Sequence, residues 1–239
     1  MHQTPNTKYQ TQMHRIKAAI FDLDGTLLNT LEDIANAVNR VLSNRGYPTH
    51  PVDMYRSFVG DGWKMLVKRA LPESASTRDR VSACVEESMV EYGKTWDVTT
   101  TLYTGIPELL NYLTHEGIQL AVLSNKPHVF ARQYVDKLLA AWTFEKVIGV
   151  SSRFPRKPDP AGALSIVEAL KLEKRDFLFI GDSGVDMQTA AAVGIFSVGV
   201  AWGFKPEAEL MEHGCRFLAR HPMDILSLIP NGKKFSAIQ

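Results

Sequence analysis

A short apolar run that ends in two carboxylates constrains this chain more than any other stretch. Ile16 to Phe21, apolar except for Lys17, is followed by Asp22-Leu23-Asp24-Gly25-Thr26. The run suits a buried strand. Side chains alternate faces along an extended chain, so Asp22 and Asp24 leave the strand end on the same side. Gly25 lets the backbone turn tightly behind them. Neighbouring carboxylates repel unless a cation or a shared proton offsets the repulsion. A divalent metal together with a protonated Asp24 resolves that conflict and makes a reaction centre. An acidic turn closing a strand is the plainer reading of the same residues.

From Thr30 to about Asp97 the spacing is helical. Leu31, Ile34, Ala35, Val38, Val41 and Leu42 share one helix face, and Gly46-Tyr47-Pro48 ends it. Val81, Cys84, Val85, Met89 and Tyr92 repeat that spacing, with Gly93 near the stop. Between them, the glycine-bearing turn Phe58 to Trp63 leads into a helix over Lys64 to Leu71. After Tyr103 the rhythm alternates. Helices are expected at 106–115, 129–140, 161–170 and 187–193, and strands at 118–123, 146–150, 177–180 and 195–200. Cys215 to Leu218 and Met223 to Ile229 add a last strand and helix. Short apolar strands separated by helices imply an α/β fold, a Rossmann-like parallel sheet with helices on both faces. The expected organisation is a core of residues 15–29 and 101–239 interrupted by a small all-helical cap domain, 30–100, inserted after the first strand.

Composition narrows the class. The 239 residues suffice for one or two domains, and 27 Lys plus Arg stand against 26 Asp plus Glu without a long run of either sign. That balance argues against a nucleic-acid coat or a membrane-surface protein. Cys84 and Cys215, far apart in apolar surroundings, read as reduced thiols of a cytoplasmic protein. No stretch approaches the ~20 apolar residues of a membrane span. Residues 1–14 are polar and lack the apolar core of a secretory signal. They read as a disordered extension, within which Met13 is an alternative start. Composition leaves monomer and homodimer equally open.

In open parallel sheets the working groups gather at the carboxyl ends of the strands. Asp22 and Asp24 follow the first strand, and Ser124, Asn125 and Lys126 follow the second. Lys157 follows the third within Arg156-Lys157-Pro158-Asp159, and Gly181-Asp182-Ser183-Gly184-Val185-Asp186 follows the fourth. Taken singly, Ser124-Asn125 also suits a turn, Lys157 a solvated loop cation and Gly181-Asp182-Ser183 a helix cap. Together they are what phosphoryl transfer from a monoester requires. Asp22 attacks phosphorus, while Ser124, Asn125 and Lys157 hold the non-bridging oxygens. A Mg²⁺ ion on Asp22 and Asp182 neutralises charge. Asp24, protonated, donates to the leaving oxygen and then activates water. Oxygen donors without a His or Cys cluster favour Mg²⁺ over Zn²⁺.

These residues resemble the four motifs of the haloacid dehalogenase-like hydrolase superfamily. Motif one matches at Asp22-Leu23-Asp24-Gly25-Thr26, motif two at Ser124, motif three at Lys157, and motif four at Gly181-Asp182-Ser183 with Asp186. The resemblance spans residues 16 to 230. It implies an aspartyl-phosphate mechanism with Asp22 as nucleophile and Asp24 as general acid/base. It also implies Mg²⁺ on Asp22, on the backbone carbonyl of Asp24 and on Asp182, with Asp186 orienting Lys157. Gly25 and Thr26 would line the phosphate site. An acidic residue at Asp24 points to phosphomonoester hydrolysis or phosphomutation, since dehalogenases and transport ATPases resembling this family lack it. Phe58-Val59-Gly60-Asp61-Gly62 with Leu66 to Leu71, and Thr104 to Glu108, resemble phosphoglycolate phosphatases. That likeness implies 2-phosphoglycolate as first candidate, with Arg56 or Lys64 facing its carboxylate. A beta-phosphoglucomutase-like mutase, a nucleotidase or pyrophosphatase, and a non-catalytic binding module are the alternative readings.

Overall fold

In the computed structural model, which describes residues 16–229, the chain is organised around a four-residue strand with no exposed surface. β1 (Ala18–Phe21) is buried along its whole length. The expected extension over 1–14, and Met13, lie outside the described residues.

A short β2 (Leu28–Asn29) leads out of the sheet into α1 (Leu31–Asn44), α2 (Tyr55–Phe58), α3 (Trp63–Ala70) and α4 (Arg78–Thr95). The chain returns through β3 (Thr101–Leu102), which pairs antiparallel with β2, so entry to and exit from the helical insert form one small ribbon. Asp33 on α1, only 2% exposed, accepts bonds from the backbone and hydroxyl of both Thr99 and Thr100 at 2.7–3.1 Å. A buried carboxylate is tolerable only with such full satisfaction. The ribbon and the Asp33 tie were not legible in the sequence.

Beyond the ribbon come α5 (Ile106–His115), β4 (Gln119–Pro127), α6 (His128–Leu138), β5 (Phe144–Val150) and α7 (Ala161–Leu170). They are followed by β6 (Phe177–Gly181), α8 (Gly184–Val193), β7 (Phe196–Val200), α9 (Glu207–Glu212) and β8 (Phe217–Ala219). Six strands make one sheet in the order β5-β4-β1-β6-β7-β8, every pairing parallel. Helices cover both faces, as the apolar strands require. Phe21, Val122 and Ile180 join the larger apolar cluster, whereas Ile20, Leu123 and Phe179 join a second one beneath α7 and α8. That period of two follows from the pleat. Each such side chain contributes roughly 2–3 kcal/mol by burial.

Three differences from the sequence reading have physical causes. The strand expected at 118–123 continues to Pro127, because Pro127 pairs again with Val150 of β5 beyond a register shift. The last helix is a run of 3₁₀ turns, Pro222–Leu228, and the strand before it moves to Phe217–Ala219. The six-residue α9 carries too short an apolar period to register. Among the described residues no helix is long and apolar enough to cross a membrane.

Candidate active site

The strand order reverses direction at β1: the chain steps from it to β4 and β5 on one side, then to β6, β7 and β8 on the other. The crevice at such a switch point is where α/β sheets bind ligands. Asp22 stands there, its backbone N–H bonded to the Ile180 carbonyl of β6 at 2.9 Å. Its Oδ1 accepts from the Leu23 N–H at 2.7 Å and from Lys157 Nζ at 2.9 Å.

Lys157 is buried and donates also to Asp186 Oδ1 at 2.6 Å. Asp186, in the first turn of α8, takes the Ser183 N–H at 3.1 Å and the Ser183 hydroxyl at 2.5 Å on its other oxygen. One carboxylate therefore caps its own helix and fixes a lysine from another loop. Asn125 completes the arrangement from β4: its Oδ1 accepts the Lys157 N–H at 2.6 Å and its Nδ2 donates to the Lys157 carbonyl at 3.2 Å. Asp182, at the end of β6, accepts the Phe204 N–H at 2.7 Å. Gly25, at φ +82°, and Gly203 both lie so close that a Cβ on either would overlap the Asp182 side chain.

The electrostatics follow from burial. Desolvation pushes the Asp22 carboxyl up to about 7; Lys157 pulls against that, while Asp186 and Asp24 reinforce it. Burial likewise raises Asp182 well above the carboxylate range, helped by Asp22 and Asp186 and opposed by the Phe204 N–H. Burial alone would depress Lys157, but Asp186 and Asp22 hold it above its ordinary value. Carboxylate oxygens of Asp22, Asp182 and Asp186 lie within 4.8 Å of one another. Three carboxylates against one ammonium leave an excess of negative charge, and the donors are all hard oxygens. The set fits a divalent cation.

Asp24 is held from two sides by other side chains. Its Oδ1 accepts from Thr30 Oγ1 at 2.7 Å, and its two oxygens take Lys126 Nζ at 2.8 and 3.0 Å. The Lys126 side chain is 1% exposed, its ammonium 5.0 Å from the ring centroids of both Tyr92 on α4 and Tyr134 on α6. The two phenols are joined at 2.6 Å. Lys126 thus connects the acid/base candidate to the helical insert.

Asp22, Asp24, Ser124, Asn125 and Asp182 line one cavity of ≈ 50 Å³, roofed by Val59, Gly60, Trp63 and Leu66 of the insert. Ser124 is buried, and its Oγ accepts the Lys126 N–H at 3.2 Å. Thr26 is buried too; its carbonyl takes the Trp202 indole N–H at 3.0 Å, and its hydroxyl has no partner among the described residues. The insert lies down on the core through its own main chain. Asn125 donates to the Gly60 carbonyl, Arg156 to that of Asp61 and Lys205 to that of Arg56, at 2.8–2.9 Å.

Two expected substrate contacts are not assembled. The Arg56 guanidinium turns to the Gly203 carbonyl at 3.0 Å, and Lys64 is exposed; neither lines the cavity. Lys64 lies off the α3 face that buries Leu66, Val67 and Ala70. The cations that do line the cavity are Lys126 and Lys205. The position of Lys126 directly after Ser124-Asn125 hinted at a role; for Lys205, Thr30 and Phe204 the sequence held no signal.

The family profile of the haloacid dehalogenase-like hydrolases matches residues 19–200. A phosphoglycolate phosphatase of Pseudomonas putida is 31% identical over 222 residues, 90% of this chain and 79% of that protein. One from Nitrosospira multiformis is 35% identical over 207 residues, 84% of this chain and 89% of that one. Among solved structures, a candidate phosphoglycolate phosphatase from Lactobacillus delbrueckii subsp. bulgaricus superposes with a TM-score of 0.85 at 27% identity, covering 91% of this chain and 100% of the other.

Proposed function

Since the chain belongs to the haloacid dehalogenase-like hydrolases and is a phosphatase, we propose that it hydrolyses 2-phosphoglycolate, using Mg²⁺ and a phosphorylated Asp22. One observation carries this reading: Asp22, bonded to Lys157 at 2.9 Å, shares with Asp24 a cavity of ≈ 50 Å³. The insert roofs that cavity with Val59, Gly60, Trp63 and Leu66, an enclosed setting that suits a small phosphomonoester. The names of the Pseudomonas putida and Nitrosospira multiformis relatives support the same substrate.

The chain's own residues perform two displacements. Asp22 Oδ bonds to phosphorus as the ester oxygen leaves, and Asp24 gives that oxygen its proton. Lys157 and Ser124 hold the non-bridging oxygens, and Asp186 keeps Lys157 aimed at them. Water then attacks phosphorus, passes its proton to Asp24, and releases phosphate and the free Asp22 carboxylate. Asp22, Asp182 and the main-chain carbonyl of Asp24 would hold Mg²⁺, which when bound offsets the charge of the transferring phosphoryl group. The insert excludes bulk water while phosphoenzyme is present.

The test is phosphate release from 2-phosphoglycolate, glucose phosphates, nucleoside monophosphates and pyrophosphate, with Mg²⁺ and with EDTA. Expected is metal-dependent turnover, with 2-phosphoglycolate preferred at least about tenfold in kcat/KM and activity lost in Asp22→Asn by at least about 10³-fold. Turnover that survives in Asp22→Asn refutes the mechanism. Preference for a sugar phosphate or nucleotide refutes the substrate.

A further inference from the structure

The cavity has a chemical end and a recognition end. Asp22, Ser124 and Asp182 form the first, and the turn Val59-Gly60 of the insert closes the second beside Phe204 and Lys205. A leaving group that departs in line from Asp22 points toward the insert. Most of the wall there is apolar or glycine, so a negative substituent would be stranded unless a cation met it.

Most nearby cations are already committed. Lys126 is bonded to both oxygens of Asp24, and Lys157 lies between Asp22 and Asp186. Arg69 pairs with Asp61, and Arg156, bonded to the Asp61 carbonyl, does not line the cavity. Lys205 differs. Among the described residues it makes no ion pair within 4.0 Å, and its one bond is to the Arg56 carbonyl at 2.8 Å. An ammonium carries three donors, so two remain free. Its backbone is also held in place. The neighbouring Phe204 N–H is bonded to Asp182 at 2.7 Å, and the Lys205 stem runs past Gly60, where a Cβ would stand 3.4 Å from Cε. The backbone that carries Lys205 is thereby anchored beside Asp182, with its side chain lining the cavity.

We propose that Lys205 determines specificity, its ammonium pairing with an anionic group, a carboxylate, on the leaving-group side of a small phosphomonoester. The inference rests on the phosphatase reading above and replaces Arg56 and Lys64 in the role first expected of them. Because the same ammonium holds the Arg56 carbonyl, one group answers both to the substrate's charge and to the seating of the insert.

The experiment compares 2-phosphoglycolate, ethyl phosphate and phosphoethanolamine in wild type, Lys205→Met, Lys205→Arg and Lys205→Glu. In Lys205→Met, kcat/KM for 2-phosphoglycolate should fall about 10- to 100-fold further than for ethyl phosphate, the worth of a charged hydrogen bond. Lys205→Arg should keep most of the discrimination, and Lys205→Glu should turn it toward phosphoethanolamine. Equal losses on all three substrates in Lys205→Met would mean that the ammonium merely fastens the insert, and would overturn the inference while leaving the proposed substrate standing. A wild type that treats ethyl phosphate and 2-phosphoglycolate alike would overturn the substrate reading itself, and this inference with it.

Discussion

The buried carboxylates predict an unusual dependence of stability on pH in the metal-free protein. Asp22 has its carboxyl raised from 3.8 to about 7. Between those values the folded protein holds a proton that the unfolded chain has lost. The resulting stabilisation is fully present below 3.8 and drains away as pH rises through about 7. The whole span is worth about 4 kcal/mol at roughly 1.36 kcal/mol per unit. From about pH 6 to about pH 8.5, on the order of 1 kcal/mol of it should disappear. For a chain of this size that lowers the melting temperature by about 2–4 °C. The assay is thermal or urea unfolding in chelator across that range, wild type against Asp22→Asn. Subtracting the variant leaves Asp22 together with its coupling to Asp182, whose carboxyl it helps to raise. Mg²⁺ should reverse the trend: at about 100-fold over its dissociation constant it adds about 2.7 kcal/mol. It should act more strongly at the alkaline end, where it no longer displaces a proton. Wild-type and variant curves parallel to within about 0.3 kcal/mol from pH 6 to 8.5 would refute the reasoning, since Asp22 would then be ionised throughout.

Two further perturbations probe the supports of the site. Lys126→Met should leave Asp24 without its ammonium and lower kcat on the order of 100-fold with KM little changed, as read by steady-state kinetics; a kcat within about threefold of wild type would show that Thr30 alone orients Asp24. Asp33→Ala strips four donors at Thr99 and Thr100 of their acceptor and should cost about 2–4 kcal/mol in urea unfolding. A loss under about 1 kcal/mol would mean that water replaces the carboxylate there.

The chemistry was legible where local sequence decides position. Asp22, Asp182 and the Ser124-Asn125 pair each follow an apolar run directly, and the end of a strand is a place that a period of two can locate. Lys157 has no such anchor of its own. Its neighbours Asp186 and Asn125 draw it in, from a helix turn and a strand that lie apart in the chain. Long side chains defeat this kind of reading altogether. Arg56 and Lys64 sit in the right segment, yet one turns to a main-chain carbonyl and the other to solvent. Lys126 was placed at its strand end without its reach to Asp24, and Lys205 reaches the cavity from a position with no distinguishing pattern. The strand order, with β1 between β4 and β6, likewise depends on pairings between residues far apart in the chain. Hydrophobic periodicity cannot report those.

β1 has strands bonded along both edges and apolar side chains packed on both faces. The proposed nucleophile it carries inherits the stiffness of the whole sheet, and displacing Asp22 means dislocating that sheet. The opposite wall combines Trp63 and Leu66 of α3 with a turn at Val59-Gly60 and a loop side chain at Lys205, the last three belonging to no strand or helix. Sequence drift therefore falls unevenly on the two ends. A lineage can exchange the tail it accepts by altering a few loop positions, while the phosphoryl-transfer machinery stays unchanged because its foundations do not move.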